Sequence, residues 1–401
     1  MNLKNYPMLN RYVQTETYSQ GEYERRWALL QRIMKEKNCS ALIVFSPIFE
    51  GYDQWIAGVR GLEYVVVSQE GDILGIRSVN MPEFRSDEIN SRRLPLYPVH
   101  PRIRIAEHFD FEMLAGCLRK WGPRIASINA GKMSADFVDV LRQECNAVEW
   151  VDITLEAAVE KAVKSTEEIR SIRSANLAHE KAMGAMRYYL RQGRTFHEVS
   201  CDVAHVLGEQ GAGNGLMHAF LINVGRQDEP SSLQAFTPYP GYRFAYGDRL
   251  MVLMETNGAG NHCTAVGRFF SIGEPSEDFR KATEACSEAQ DFAASRMKPG
   301  VTLTEIVRDT RRFIESHGWE TNEQCFMHSM GYHMYEQYAV DDITANVPLR
   351  ENVFLHCHPV IRRHFPGTGR TELMHQLNPY LVGREGGVLM NRAPREIQIV
   401  E

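Results

Sequence analysis

The chain has 401 residues, enough for one large domain or two, with 45 basic and 51 acidic side chains and a formal net charge of −6. No basic stripe runs along it, which argues against a nucleic-acid partner. The opening MNLKNYPMLNRYV lacks an apolar signal core, and no apolar run reaches the roughly 20 residues of a membrane span, so no membrane role is expected. Eight cysteines are scattered without a CxxC pair, which predicts reduced thiols in a cytoplasmic protein.

In chain order, Ser19 followed by Glu22 reads as a capping box, and Tyr23, Trp27, Leu30 and Met34 share one helical face. ALIVF (41–45) is a short buried strand. An aromatic-rich loop, SPIFEGYDQWIAGVRG, follows it, and then a second strand, EYVVVS, and Gly71-Asp72. The alternating β/α pattern continues to about residue 155. Tyr52 and Trp55 have two readings: they pack the loop onto the strand, or they form an aromatic wall for a cationic substrate. Asp53 and Arg60 read as surface charges. Ser165 to Glu168 form another capping box, and Ile169, Ile172, Ala175, Ala182, Met186 and Leu190 make a helical stripe that Gly193 ends. Residues 247–270 read as a hairpin turning at Asn257 to Asn261, with Glu255 near the end of its first strand. A carboxylate rarely enters a buried strand without a reason.

Several motifs carry a resemblance. KSTEEIRSIRSA is similar to the linker helix K-S-x-E-E-I-x-x-I-R-x-A of the creatinase/methionine-aminopeptidase superfamily, the M24 or pita-bread enzymes. The 247–270 hairpin resembles that superfamily's first metal-binding hairpin, in which GD-x-L precedes two aspartates. Glu255 takes the first aspartate's place, and the second falls on Ala265 or Val266, neither of which binds metal. His328 in HSMG matches H-x-x-G, with His333 and Tyr335 close behind. His358-Pro359 in ENVFLHCHPV takes the place of a Glu-Pro, with His356 two residues earlier, and Arg370 and Glu372 in GRTE match R-x-E. Phe236 in QAFTP stands where many members have a histidine, and His218 lies too far upstream to replace it. The resemblance implies an α/β fold: a creatinase-like N-terminal α/β domain (1–158) and a C-terminal pita-bread domain (159–401). It also implies a homodimer in which the loop carrying Tyr52 and Trp55 reaches the partner's active site.

Two divalent metals normally need four carboxylates, and these places supply two, so the expectation is a metal-independent enzyme with no cofactor. A single metal on two histidines and two carboxylates, suited to zinc or iron, stays open. Without metal, two facing carboxylates repel, and a planar amidinium relieves the repulsion through charge-assisted hydrogen bonds. The pattern of Glu255 in MET, HSMGYHMYEQ and HCHPV resembles ectoine hydrolases. That resemblance implies a small zwitterionic substrate whose cyclic amidine is opened to acetylated diaminobutyrate. Glu255 would then bind or attack the amidinium carbon and His328 act as general base or acid. Glu372 would hold a ring N–H, His358 would orient a neighbour or share proton transfer, and Tyr52 and Trp55 would cover the ring. The substrate carboxylate falls to one of Arg60, Arg362, Arg370 or Arg384. The alternatives are a metal-dependent pita-bread peptidase or lyase, a creatinase-type amidinohydrolase, and a catalytically dead domain used for binding.

Overall fold

Short runs rich in Val, Ile and Leu alternate with helices over the first part of the chain, and in the computed structural model they form one mixed sheet. The structure describes residues 18–45, 51–58, 62, 64–76, 100–106, 111–132, 135–212, 218–226, 238–258, 260–321, 327–332, 336, 338–340 and 343–401. Arg60, Phe236, His333 and Tyr335 lie outside them, as do parts of the 46–61 segment. By its contacts the chain divides into two units, Thr17–Lys161 and one that includes Ala162–Glu401.

The first unit runs α1 (Gln20–Glu36), β1 (Ala41–Phe45), α2 (Tyr52–Ala57), β2 (Tyr64–Ser68), β3 (Ile73–Ile76), β4 (Ile103–Ala106), α3 (Phe111–Trp121), β5 (Arg124–Ile128), α4 (Ala135–Glu144), β6 (Glu149–Asp152) and α5 (Thr154–Ala162). Its sheet order is β4-β3-β2-β1-β5-β6, with β1 antiparallel to β2 and parallel to β5. Every residue of β1 is buried, as a central strand covered on both faces requires. Ser19 caps α1 by accepting the Glu22 N–H, but the box is not closed. The Glu22 carboxylate turns instead to Arg25 and to Arg26, whose fully buried guanidinium needs a counter-charge more than the helix end needs a second cap. The aromatic segment, expected as a loop, contains the helix α2, bounded by Gly51 and Gly58 at φ 66° and 67°. Tyr52 and Trp55 meet edge to face at 6.2 Å inside this unit, each about 1% exposed. Arg26 Nη1 donates to the Trp55 carbonyl at 2.9 Å.

The second unit opens with α6 (Thr166–Tyr189), whose capping box of Ser165 and Glu168 is complete. The helix ends at Tyr189, short of the Gly193 that the sequence suggests, because Leu190 already turns to extended backbone. Next come α7 (Phe196–Glu209), β7 (His218–Arg226), β8 (Asp248–Asn257) and β9 (Cys263–Ile272), then α8 (Glu277–Arg296), α9 (Leu303–Ser316) and β10 (Met327–Ser329). The chain continues through β11 (Phe354–Cys357), β12 (Ile361–Phe365), β13 (Arg370–Met374), β14 (Asn378–Val382), β15 (Gly387–Leu389) and β16 (Gln398–Val400). Two four-stranded sheets result, β16-β9-β8-β7 and β10-β11-β14-β15, together with the ribbon β12-β13. One face of the hairpin β8–β9 (Leu250, Val252, Met254, Val266 and Phe270) packs on Ala178, Ala182, Met186 and Val203 of α6 and α7. Among the described residues, no helix is long and apolar enough to cross a membrane.

The hairpin turn is seated directly on α6. A Cβ at Gly258 would lie 2.5 Å from Ala175 Cβ and 2.7 Å from its Cα, and backbone cannot retreat as a side-chain tip can. Gly258→Ala is therefore expected to cost about 1–3 kcal/mol, as overpacking does. Denaturant unfolding checks this, and an unchanged midpoint would show that the turn is loosely seated.

Candidate active site

Antiparallel pairing of β8 with β9 sets Glu255 opposite Ala265 and Met254 opposite Val266. Directly opposed residues share a face of the sheet. Val266 therefore belongs to the face packed on α6, and of the two residues the sequence left open, Ala265 is the one that faces Glu255. The Ala265 N–H points away from β8 and donates to His356 Nε2 at 3.2 Å, and the Gly267 N–H, two residues on, donates to Leu377 O at 2.9 Å. The Glu255–Ala265 pair is thus of the non-hydrogen-bonded kind, with Cα atoms about 4.5 Å apart. A carboxylate faces a methyl group at close range. Glu255 is partly accessible, and burial pushes its carboxyl up to about 7.

The histidines meet on the neighbouring sheet. His328 of β10 is paired across the ladder with His356 of β11, with ring centroids 5.7 Å apart. His358 lies 5.3 Å from His328, and His375 lies 5.6 Å from His358. The His328 Nδ1 sits 3.1 Å from the Ser329 carbonyl. A carbonyl only accepts, so the proton is on Nδ1 and Nε2 is the basic nitrogen. Burial, reinforced by neighbouring imidazoles, holds His356 and His358 well below the usual histidine range. Burial alone lowers His375 to about 4. Below His356, Thr264 Oγ1 lies 3.3 Å from Asn176 Oδ1, which also accepts from Asn391 Nδ2 at 3.2 Å.

The HSMG segment is held by a pair that the sequence does not flag. Lys164, the first residue of the KSTEEI motif, and Glu336 are both buried and lie 3.2 Å apart. Glu336 also accepts from the Tyr332 N–H at 3.0 Å. A Cβ at Gly331 would fall 2.2 Å from this fixed carboxylate, so the glycine of HSMG has a steric cause. Removing one partner of such a buried pair costs about 3–5 kcal/mol.

Glu372 is elsewhere. Its carboxylate accepts from Arg249 Nη1 at 2.9 Å and from Arg363 Nη1 at 3.1 Å, and both guanidinium groups lie against Phe279 and Phe365. Arg249 is on β8, six residues and about 20 Å along the strand from Glu255, beyond the reach of an arginine side chain. The structure brings Glu255, His328, His356 and His358 to one end of the hairpin and leaves Glu372 with two arginines towards the other. Arg370 is exposed on β13, while Arg362 and Arg384 form surface ion pairs with Glu320 and Glu351. Tyr52 and Trp55 are buried in the first unit. His375, Arg249, Arg363 and the Lys164–Glu336 pair went unread in the sequence, although Lys164 and Arg249 stand inside the recognised motifs.

The profile of metallopeptidase family M24 matches residues 170–388, more than half of the chain. The chain belongs to metallopeptidase family M24. Its curated relatives include the Xaa-Pro dipeptidase of Pyrococcus furiosus, 25% identical over 203 residues, which are 50% of this chain and 56% of that protein. The Xaa-Pro dipeptidase of Pyrococcus horikoshii is 23% identical over 263 residues, 65% of this chain and 71% of that one. The chain thus matches less than two thirds of the first of these. Among solved structures, dipeptidase PepE of Mycobacterium ulcerans superposes with a TM-score of 0.76 at 19% identity, covering 96% of this chain and 100% of that one. The X-Pro aminopeptidase of Thermotoga maritima gives 0.75 at 19% identity, covering 93% and 99%. At that identity the likeness shows the fold, a mixed α/β pita-bread architecture with an N-terminal domain.

An M24 metallopeptidase implies metal, and the donor set here does not fit a metal pair. Ala265 offers no donor opposite Glu255, and Glu372 is taken by two guanidinium groups. Among the described residues, no group of three or more His, Cys, Asp or Glu side chains is arranged to hold an ion.

The raised carboxyl makes a signed prediction. With a folded value near 7 and an ordinary value of 4.5, Glu255 binds more protons folded than unfolded between those limits. Its contribution to stability therefore falls as pH rises through that window. Glu255→Gln should melt higher relative to the wild type at pH 8 than at pH 4. Equal differences at both pH values would show that Glu255 titrates normally.

Proposed function

We propose that this M24 hydrolase opens a cyclic amidinium zwitterion, ectoine, to acetylated diaminobutyrate without the metal pair implied by its family. The observation that carries the reading is the Glu255–Ala265 pair, a half-buried carboxylate with an apolar neighbour where the family motif has a second aspartate. Such a carboxylate is suited to a planar cation, which supplies the opposite charge and restores its ionised form on binding. In this reading Glu255 attacks the amidinium carbon and the C=N π pair moves to one ring nitrogen. That nitrogen leaves as a protonated amine as its C–N bond breaks, and water then displaces the Glu255 carboxylate to leave the acetamide, splitting one difficult step into two. His328, its proton fixed on Nδ1, offers Nε2 as the base that activates water. His358 flanks that ring.

The ring N–H contact expected of Glu372 drops out of the proposal, because its carboxylate is engaged by Arg249 and Arg363. Tyr52 and Trp55 as a cover, Arg370 as the carboxylate receptor, and a homodimer with shared sites stay with the family resemblance alone. Sedimentation tests the dimer directly.

The relatives favour a second reading, hydrolysis of Xaa-Pro dipeptides with bound metal. Both curated relatives named above are called Xaa-Pro dipeptidases, and overall similarity supports this peptidase reading better than the amidine one. One assay separates the two. The purified chain is given ectoine or an Xaa-Pro dipeptide, with chelator or with added manganese, and products are identified by mass spectrometry. The first reading predicts ring-opened ectoine at equal rates with and without chelator. Dipeptide cleavage that disappears with chelator and returns with manganese would replace it by the second.

A further inference from the structure

We propose that the groove between α6 and the edge strand β15 is a docking site for an extended acidic segment of a partner protein, which adds to β15 as a further strand. None of its residues belongs to the site around Glu255, and the proposal does not depend on how that site is read. The groove measures about 410 Å³ and is lined by residues of α6 and of the segment from Val388 to Arg392. Its floor is built. Asn391 Nδ2 donates to Asn176 Oδ1 at 3.2 Å and the Arg392 N–H to Glu180 Oε1 at 2.6 Å, so the chain leaving β15 is fastened along the helix.

Two features of the groove call for a ligand, and the first is the strand edge. β15 ends the order β10-β11-β14-β15. The Met390 N–H donates to Pro379 O at 2.9 Å, so by alternation Leu389 turns its N–H and C=O away from β14. Among the described residues neither group has a hydrogen-bond partner. Successive side chains of a strand point to opposite faces, yet Val388 and Leu389 are 50% and 40% exposed, so both faces are open there. Leu177 of α6, 50% exposed, lines the same groove. An open apolar edge of this kind is a template for another strand.

The second feature is charge. Arg173 and Arg392 line the groove, and among the described residues neither guanidinium has an ion pair or hydrogen bond, unlike the surface arginines Arg362 and Arg384. Glu180, which also lines it, already accepts from the Arg392 N–H. An apolar groove with two open guanidinium groups is complementary to a strand alternating apolar and carboxylate side chains. Main-chain bonds to Leu389 give affinity, and carboxylates meeting arginine give specificity. A second copy of this chain fits less well, since a two-fold contact sets these arginines against their own equivalents. A membrane fits less well because it presents no strand to the edge.

The test titrates the intact chain into a fluorescein-labelled hexapeptide alternating valine with glutamate, and reads binding by anisotropy. Saturable binding is expected, at least about tenfold weaker when lysine replaces glutamate or when the peptide amides are N-methylated. The doubly substituted chain Arg173→Glu, Arg392→Glu should also bind about tenfold more weakly. Both arginines are exposed, so this variant should melt like the wild type. No binding at about 1 mM chain overturns the proposal, as does equal binding of the lysine peptide, of the N-methylated peptide or by the double variant. Cosedimentation with phosphatidylserine vesicles that the double variant loses would assign the face to a membrane instead. An oligomer that Leu177→Glu turns into monomers would assign it to a second copy. Either result overturns the proposal.

Discussion

The register of one hairpin decides what this site can be. Because β8 and β9 pair with Glu255 against Ala265, a single carboxylate stands before a methyl group, at the separation where a cross-strand pair is closest. A second carboxylate at Ala265 would repel Glu255 unless cations intervened. With alanine there, nothing on that strand demands a cation, and burial alone governs the acid.

The same register reaches the histidines. Ala265 turns its N–H outward, and His356 takes it, so the edge of β9 is joined to β11 by a side chain rather than by a ladder hydrogen bond. That contact fixes one imidazole's tautomer, while Ser329 fixes another's. Around them the polar groups are buried in reciprocal sets: Thr264 with Asn176 and Asn391, and Lys164 with Glu336. Sets of this kind rigidify a site when every member is satisfied, and the hairpin turn wedged on Ala175 keeps β8 and β9 from sliding beneath them.

The family and the fold were legible because they are written in local patterns: capping boxes, strand runs, and motifs such as KSTEEI and HSMG. Even there, tertiary demands rewrote details. Glu22 left its box for buried Arg26, and the segment around Trp55 coiled into a helix between two left-handed glycines. The site was only half legible. Glu255, His328 and His358 carry motif positions, but which of Ala265 and Val266 faces Glu255 depends on register, which spacing leaves uncertain by one residue. Glu372 matched R-x-E, yet its partners Arg249 and Arg363 come from a distant strand and from across the ribbon, long-range pairings that no local pattern displays. His375 carried no motif at all.

The central claim is that this M24 chain has exchanged a metal pair for a single carboxylate beside neutral imidazoles. Counting metals on the folded protein tests it most directly, by native mass spectrometry in the presence of excess manganese or zinc. The account predicts that the intact chain retains no stoichiometric metal after exchange into metal-free buffer, while remaining folded. Retention of two metals per chain, lost when Glu255 is replaced by glutamine, would contradict it.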